Sequence, residues 1–187
     1  MSFVHVLAVS GSLRASSSNT SLLQACRALA PASFEIEFYA GLAALPHFNP
    51  DLDGESPPAA VLELRRQVGR ADGLLICSPE YARGVPGSLK NALDWLVSSS
   101  EFPDKPVALF NASQRSTHAQ QALRITLQTM SARLIEDACI TVPLLGRNVD
   151  AAGIAADAAL AVPIRAALVA FSRAILRADG AIAGSAI

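Results

Sequence analysis

A chain of 187 residues with 51% hydrophobic and 17% charged residues is long enough to bury a core, and residues 1–187 read as one domain. The formal net charge is −1 and the 15 Lys and Arg are scattered, which excludes the basic stripe that nucleic-acid binding needs. No apolar run approaches the ~20 residues of a membrane span, and Met1 leads into Phe3–Val9 with no basic leader, so neither a membrane segment nor a secretory signal is expected.

Short apolar runs alternate with helical patterns along the chain. Phe3–Val9 predicts a buried strand, and Ser21–Leu29 a helix after a polar loop. Phe34–Tyr39 alternates, with Phe34, Ile36 and Phe38 on one face and Glu35, Glu37 and Tyr39 on the other, as in a half-exposed edge strand. Gly41–Pro58 is a long proline-rich loop, and Val61, Leu64, Val68 and Ala71 mark a helix face. Gly73–Cys77 predicts a third strand, Ser78–Pro86 a loop, and Leu89, Ala92, Leu93, Leu96 and Val97 an amphipathic helix. Val107–Phe110 is the fourth strand, followed by a helix striped by Ala119, Ala122, Leu123, Leu127 and Met130. The fifth strand is expected within Leu134–Val142. A final helix is expected to carry Pro163 in its first turn and Ile164, Leu168, Phe171 and Ile175 on its core face.

This alternation predicts an α/β fold in three layers: a five-stranded parallel sheet with helices on both faces. The half-exposed second strand fits the flavodoxin-like order 2-1-3-4-5. Ligands then bind beyond the carboxyl ends of the strands, so the loops after strands one, three and four are the ones that matter. Cys26, Cys77 and Cys139 lie far apart, with no CxxC and no His/Cys cluster. Neither zinc nor a disulfide framework is expected, each cysteine reads as a small buried hydrophobe, and the setting reads as reducing and cytoplasmic. His5, His47 and His118 are isolated in sequence and read as structural or surface residues.

Strand one runs into Ser10-Gly11-Ser12-Leu13-Arg14-Ala15-Ser16-Ser17-Ser18-Asn19-Thr20, and a helix follows. A helix N-terminus presents free N–H groups and the positive end of its dipole. The hydroxyls, the flexible Gly11 and the planar cation Arg14 suit a phosphate dianion. A polar loop that merely caps the helix through Ser18 or Asn19 is the plainer alternative. The loop lacks GxGxxG, GxxxxGK[ST] and the acidic residues of a receiver domain, and no GxSxG elbow occurs. Flavin mononucleotide (FMN) is the remaining common phosphate ligand for this topology.

The loop after strand three reads Ser78-Pro79-Glu80-Tyr81-Ala82-Arg83-Gly84-Val85-Pro86-Gly87, a stiff path that presents the flat face of Tyr81. The segments Gly11-Ser12-Leu13-Arg14…Ser17-Ser18-Asn19 and Pro79-Glu80-Tyr81…Val85-Pro86-Gly87-Ser88-Leu89-Lys90-Asn91-Ala92-Leu93-Asp94-Trp95 together resemble the NADPH-dependent FMN reductase family. Leu45-Pro46-His47-Phe48-Asn49-Pro50-Asp51-Leu52 is similar to that family's lid segment. The resemblance implies a flavodoxin-like fold, FMN as cofactor and NADPH or NADH as co-substrate. It implies phosphate contacts from Ser12, Arg14, Ser17 and Asn19, with Thr20 beside them. Pro79, Glu80, Tyr81 and Ala82 would border the flavin ring, largely through backbone groups. It also implies a small-molecule acceptor such as a quinone, and a homodimer or homotetramer in which the faces near Trp95 and the helix after loop three are candidate contacts.

Two positions depart from the family pattern. Ala82 stands where asparagine is common, and the fourth loop reads Asn111-Ala112-Ser113-Gln114-Arg115-Ser116-Thr117-His118 in place of a glycine-rich one. Ser113 and Arg115 would then sit over the pyrimidine edge of the flavin, where Arg115 answers the negative charge of the reduced ring. A solvated Arg before a helix capped by Ser116 or Thr117 is the plainer reading. Arg83 or Arg115 would meet the phosphates of the nicotinamide cofactor. The expected activity is hydride transfer from NADPH or NADH to FMN and on to an oxidised acceptor, with no side chain required as general acid or base. An electron carrier and a non-catalytic FMN binder remain as alternatives, the former disfavoured by a net charge of only −1.

Overall fold

Apolar runs of five to seven residues are too short for core helices, and they pair instead. In the computed structural model, which describes residues 3–183, β1 (Val4–Ser10), β3 (Gly73–Cys77) and β4 (Pro106–Asn111) lie side by side in parallel. All five residues of β3 are buried, as a strand covered on both faces requires. β2 (Phe34–Phe38) pairs with β1 from Val4↔Phe34 to Ala8↔Phe38 and forms one edge, its Glu35 and Glu37 exposed. The expected domain of residues 1–187 extends past the described residues at Met1, Ser2 and 184–187.

The order is β2-β1-β3-β4-β5, as the edge character of the second strand predicts. The fifth position is built differently from the expectation. Two short strands, β5 (Arg133–Leu134) and β6 (Ile140–Thr141), both pair with β4, at Pro106↔Arg133 and at Phe110↔Ile140. A 3-10 turn at Glu136–Ala138 separates them, and Cys139 re-enters the sheet with its Sγ accepting the Leu109 N–H at 3.3 Å. Of the three cysteines expected as buried hydrophobes, Cys26 and Cys77 are buried and Cys139 is only partly so.

Helices cover both faces. α1 (Ser18–Leu29), α5 (Ala151–Ala156) and α6 (Ala158–Ala183) pack on one side around Val6, Ala8, Leu75 and Phe110. α2 (Ala59–Arg70), α3 (Gly87–Asp94) and α4 (Thr117–Thr129) pack on the other around Leu7, Leu74, Ile76 and Leu109. Tyr39, expected on the exposed face of the edge strand, lies one residue past β2 and is buried in this second layer. Ala122 and Val97, expected on core faces, are exposed, Val97 because α3 ends at Asp94.

Pro163 sits inside α6, not in its first turn. The true start is marked by Asp157, whose carboxylate accepts the Ala159 N–H at 2.9 Å. The short α5, unseen in the periodicity, has its own cap in Asp150, which accepts the Gly153 N–H at 2.8 Å. Ala158–Arg177, although broken by Arg165 and Arg173, is long and apolar enough by length and composition to span a membrane, an 18-residue window of it averaging a hydropathy of 1.7, which the expectation drawn from uninterrupted apolar runs did not anticipate. Ile164, Leu168, Phe171 and Ile175 of this helix are buried against the sheet. A Cβ at Gly73 would approach Phe171 to 2.8 Å, so strand and helix touch through a missing side chain.

The proline-rich stretch 41–58 is tied down. Asn91 Nδ2 and Trp95 Nε1 both donate to Pro46 O, at 2.9 and 2.8 Å, and the Phe48 N–H donates to Asn91 Oδ1 at 2.7 Å. Trp95 is fully buried, which makes it core and not a subunit contact. Farther along, Arg65 donates to Asp53 at 2.7 Å and to Trp95 O, while the Ser98 hydroxyl also donates to Asp53. Ser98, then Arg65, hold the Asp53 carboxyl below the usual carboxylate range. The ionised form is favoured in the fold, so this stability is complete above pH ~4 and is lost as pH falls through the depressed folded value. Asp53→Asn is expected to cost about 1 kcal/mol at pH 7. The gap to wild type in urea unfolding should narrow below pH ~4, and a pH-independent gap would contradict a charge-based anchor.

Candidate functional site

β1 ends at Ser10 and α1 begins at Ser18, three residues earlier than the apolar pattern indicates. Between them the loop folds on itself. Ser10 Oγ lies 2.9 Å from Thr20 Oγ1, the Ser12 N–H donates to Ser10 Oγ at 3.3 Å, and the Arg14 N–H donates to Ser12 Oγ at 3.3 Å. Gly11 N–H donates to Cys77 O at 2.8 Å, and a Cβ at Gly11 would fall 2.6 Å from Ser78 Oγ, so only glycine lets this loop approach the next strand. Burial pushes the Cys77 thiol far above its usual pKa, and the neutral S–H donates to Asn19 Oδ1 at 3.2 Å.

Ser17 is the N-cap of α1, yet its side chain makes no capping bond and stays buried. The first-turn N–H groups are thereby left open for an incoming acceptor. Arg14, Ser17 and Ser18 line a cavity of about 480 Å³ together with Arg147 and Asn148 of the turn before α5. Asp150, which caps α5, also lines this cavity, and Arg147 is paired with Asp157 at 3.1 Å, so the helix N-terminus, the hydroxyls and Arg14 are what it offers to an anion.

A second cavity, of about 430 Å³, adjoins the first at Ser18. Asn19 lines it from the first turn of α1, Pro79, Glu80, Ala82 and Arg83 from loop three, and Ser113 and Arg115 from loop four. Among the sequence-derived candidates, Asn19, Pro79, Glu80, Ala82, Ser113 and Arg115 therefore meet in one place. Arg14 and Ser17 meet in the neighbouring cavity, while Ser12 and Thr20 brace the loop from within. Tyr81 is half-exposed and lies on a third cavity with Gly11, Leu13, Arg14 and Pro86. Sequence reasoning missed Leu145, Ala112 and Ser116 on the second cavity and Arg147 on the first. The signal for Arg147 is Gly146, whose φ of +77° marks a turn just before a helix capped by Asp150.

Loop three owes its shape to a tight turn. Tyr81 and Gly84 exchange backbone hydrogen bonds, at 3.1 Å (Tyr81 N–H to Gly84 O) and 2.9 Å (Gly84 N–H to Tyr81 O). Ala82 and Arg83 between them have φ of 49° and 61°. Two successive positive φ values are what a hairpin turn of type I′ demands, and Asn-Gly is the pair that adopts it without strain. Glu80 was expected to act through its backbone; its carboxylate accepts the Ala119 N–H at 2.9 Å and caps α4, with His118 Nδ1 3.7 Å from its other oxygen. Neither Ser116 nor Thr117 provides that cap: Ser116 occupies the cap position but makes no side-chain bond there. His118 and His5, isolated in sequence, thus find partners in space, His5 Nε2 lying 3.0 Å from Glu37.

Loop four is held by Asn111, whose Oδ1 accepts the Ser113 N–H at 3.0 Å, and by Ser113, whose Oγ accepts the Arg115 N–H at 3.2 Å. Arg115 itself is exposed at the cavity margin. The strain in loop three is open to test. Ala82→Gly is expected to raise stability by about 1 kcal/mol by removing a left-handed Cβ, read as a higher urea midpoint. Destabilisation would contradict the left-handed geometry.

Sheet order, helices on both faces and loops gathered at the carboxyl ends of β1, β3 and β4 define a flavodoxin-like α/β protein. A model of the NADPH-dependent FMN reductase family matches residues 4–144, and the chain belongs to that family. An NAD(P)H-dependent FMN reductase of Pseudomonas aeruginosa is 40% identical over 129 residues, 66% of this chain and 69% of that protein. A quinone reductase of Escherichia coli (strain K12) is 41% identical over 106 residues, 56% of this chain and 55% of that protein. The matches thus span from about half to about two thirds of these relatives. Among solved structures, FerB, a flavoenzyme NAD(P)H:(acceptor) oxidoreductase from Paracoccus denitrificans, aligns with a TM-score of 0.76 and 28% identity over 93% of this chain and 98% of that one.

Proposed function

We propose that this protein is an FMN-dependent oxidoreductase that takes hydride from NADPH or NADH and reduces a quinone-like small molecule. The observation that carries the reading is the junction at Ser18 of an anion-receptive helix N-terminus with a cavity of about 430 Å³. A phosphate at the first turn of α1 and a flat ring between loops three and four match those two compartments. The relatives named for FMN and quinone reduction support the same activity.

The residues fit FMN. Arg14 and Ser17 would hold the phosphate in the first cavity and Asn19 would meet the cofactor from the second, with Ser12 and Thr20 fixing the loop and Arg147 lining the first cavity. Pro79, Glu80 and Ala82 would border the ring, chiefly through the rigid backbone of their loop, with Tyr81 on the neighbouring third cavity, and Ser113 and Arg115 would close the other side. When bound, FMN accepts hydride and passes electrons on, so the protein supplies position and electrostatics. Arg115 would stabilise negative charge at the ring edge. Glu80 is engaged in capping α4, and the rest of the cavity wall mixes polar groups with Pro79, Ala82, Ala112 and Leu145.

The protein would work in the cytoplasm, consistent with its three free cysteines, and as a homodimer or homotetramer. Exposed Leu13 and Tyr81 beside the third cavity support self-association close to the site. Arg14→Ala is expected to weaken FMN binding about 10-fold or more, the worth of a hydrogen bond to a charged group, and more than Arg115→Ala, in a fluorescence titration. The opposite ranking would move the phosphate away from loop one.

A further inference from the structure

We infer that Arg83 and Arg115 make the second cavity selective for acceptors that carry a negative charge, such as sulfonated or carboxylated quinones. The inference rests on the reductase reading above and adds the chemical class of the substrate.

The charges lining this cavity do not balance. Arg83 and Arg115 both line it, both are exposed, and among the described residues neither forms an ion pair. Among the described residues Glu80 is the one carboxylate on the cavity wall, and its charge is directed into the N-terminus of α4 through the Ala119 N–H at 2.9 Å. The positive end of α1 also reaches this cavity, at Ser18, while that of α4 is answered by Glu80. A locally positive cavity thus sits in a chain whose formal net charge is −1.

The bound cofactor does not use up these cations. Its phosphate is answered at Arg14 and Ser17 in the adjoining cavity. The ring gains a single negative charge on reduction, which one guanidinium meets. The second is left for whatever lies against the ring. Arg83 suits that role because its backbone is fixed: its φ of 61° is held by the paired hydrogen bonds between Tyr81 and Gly84. A residue kept in an unfavourable conformation on a cavity wall points to use of its side chain.

The anionic group takes no part in the chemistry. NAD(P)H, one proton and the quinone give NAD(P)⁺ and the hydroquinone, with two electrons passing through the flavin. The charge acts on encounter and orientation, so its effect should weaken with salt.

The test uses the holoenzyme with NADPH and two acceptors, 1,4-naphthoquinone and its 2-sulfonate. For each protein the ratio of kcat/KM for the sulfonate to that for the neutral quinone is measured, so that intrinsic reactivity cancels between proteins. Arg83→Gln is expected to lower this ratio about 10-fold, Arg115→Gln to lower it in the same direction, and ionic strength to lower it in wild type. A ratio unchanged within about 2-fold in Arg83→Gln overturns the inference, as does a salt-independent ratio. The phosphates of the nicotinamide cofactor are the other anions that could reach Arg83. A KM for NADPH that rises about 10-fold in Arg83→Gln while the acceptor ratio holds would assign the cation to them and overturn the inference. Failure of wild type to bind FMN, or to reduce the neutral quinone, would instead contradict the reductase reading itself.

Discussion

The carboxyl ends of β1 and β3 are closed on each other by one hydrogen bond, from Gly11 N–H to Cys77 O at 2.8 Å. The site depends on that closure. It places loop one directly over Ser78, at a distance only a glycine tolerates, and it brings Asn19 within reach of the Cys77 thiol. Because the thiol is buried and stays protonated, it is a donor, and Asn19 is oriented by it. The open N-terminus of α1 therefore faces the gap between loops three and four, where a phosphate and a planar ring belonging to one molecule would fit side by side.

A second tier of contacts stiffens this arrangement from outside the site. Trp95 and Asn91 on and beside α3 secure Pro46, and Arg65 with Ser98 secures Asp53. The segment that resembles a lid is thus fastened near its start to α3 and its C-cap, and just past its end to α2 and to Ser98 beyond α3. Loop three in turn is braced by Glu80 on α4. Loop one is anchored to the end of β3, loop three to the N-terminus of α4, and loop four by bonds within itself.

Much of this was legible in the sequence. Continuous apolar runs named β1, β3 and β4, and the alternation of Phe34, Glu35, Ile36 and Glu37 placed β2 at an edge. Loop positions after strands one, three and four located the candidate site, and six of the residues named from them meet on one cavity wall. What the sequence concealed has physical causes. The fifth strand is interrupted by the 3-10 turn at Glu136–Ala138, where Glu136 and Asp137 break the apolar pattern. Pro163 misled because proline most often opens a helix, whereas the signal for the start of α6 was Asp157. Glu80 as a cap for α4, and Arg147 on the phosphate side, join residues far apart in sequence, which no local spacing reveals.

The measurement that bears most directly on the site is a comparison of FMN with riboflavin, which lacks only the phosphate. If the open turn of α1 with Arg14 and Ser17 holds that phosphate, FMN should bind at least about 100-fold more tightly than riboflavin, since each tenfold corresponds to about 1.4 kcal/mol. The difference should also shrink as salt screens the exposed Arg14. Equal affinity for the two flavins would contradict a phosphate site at Ser10–Thr20.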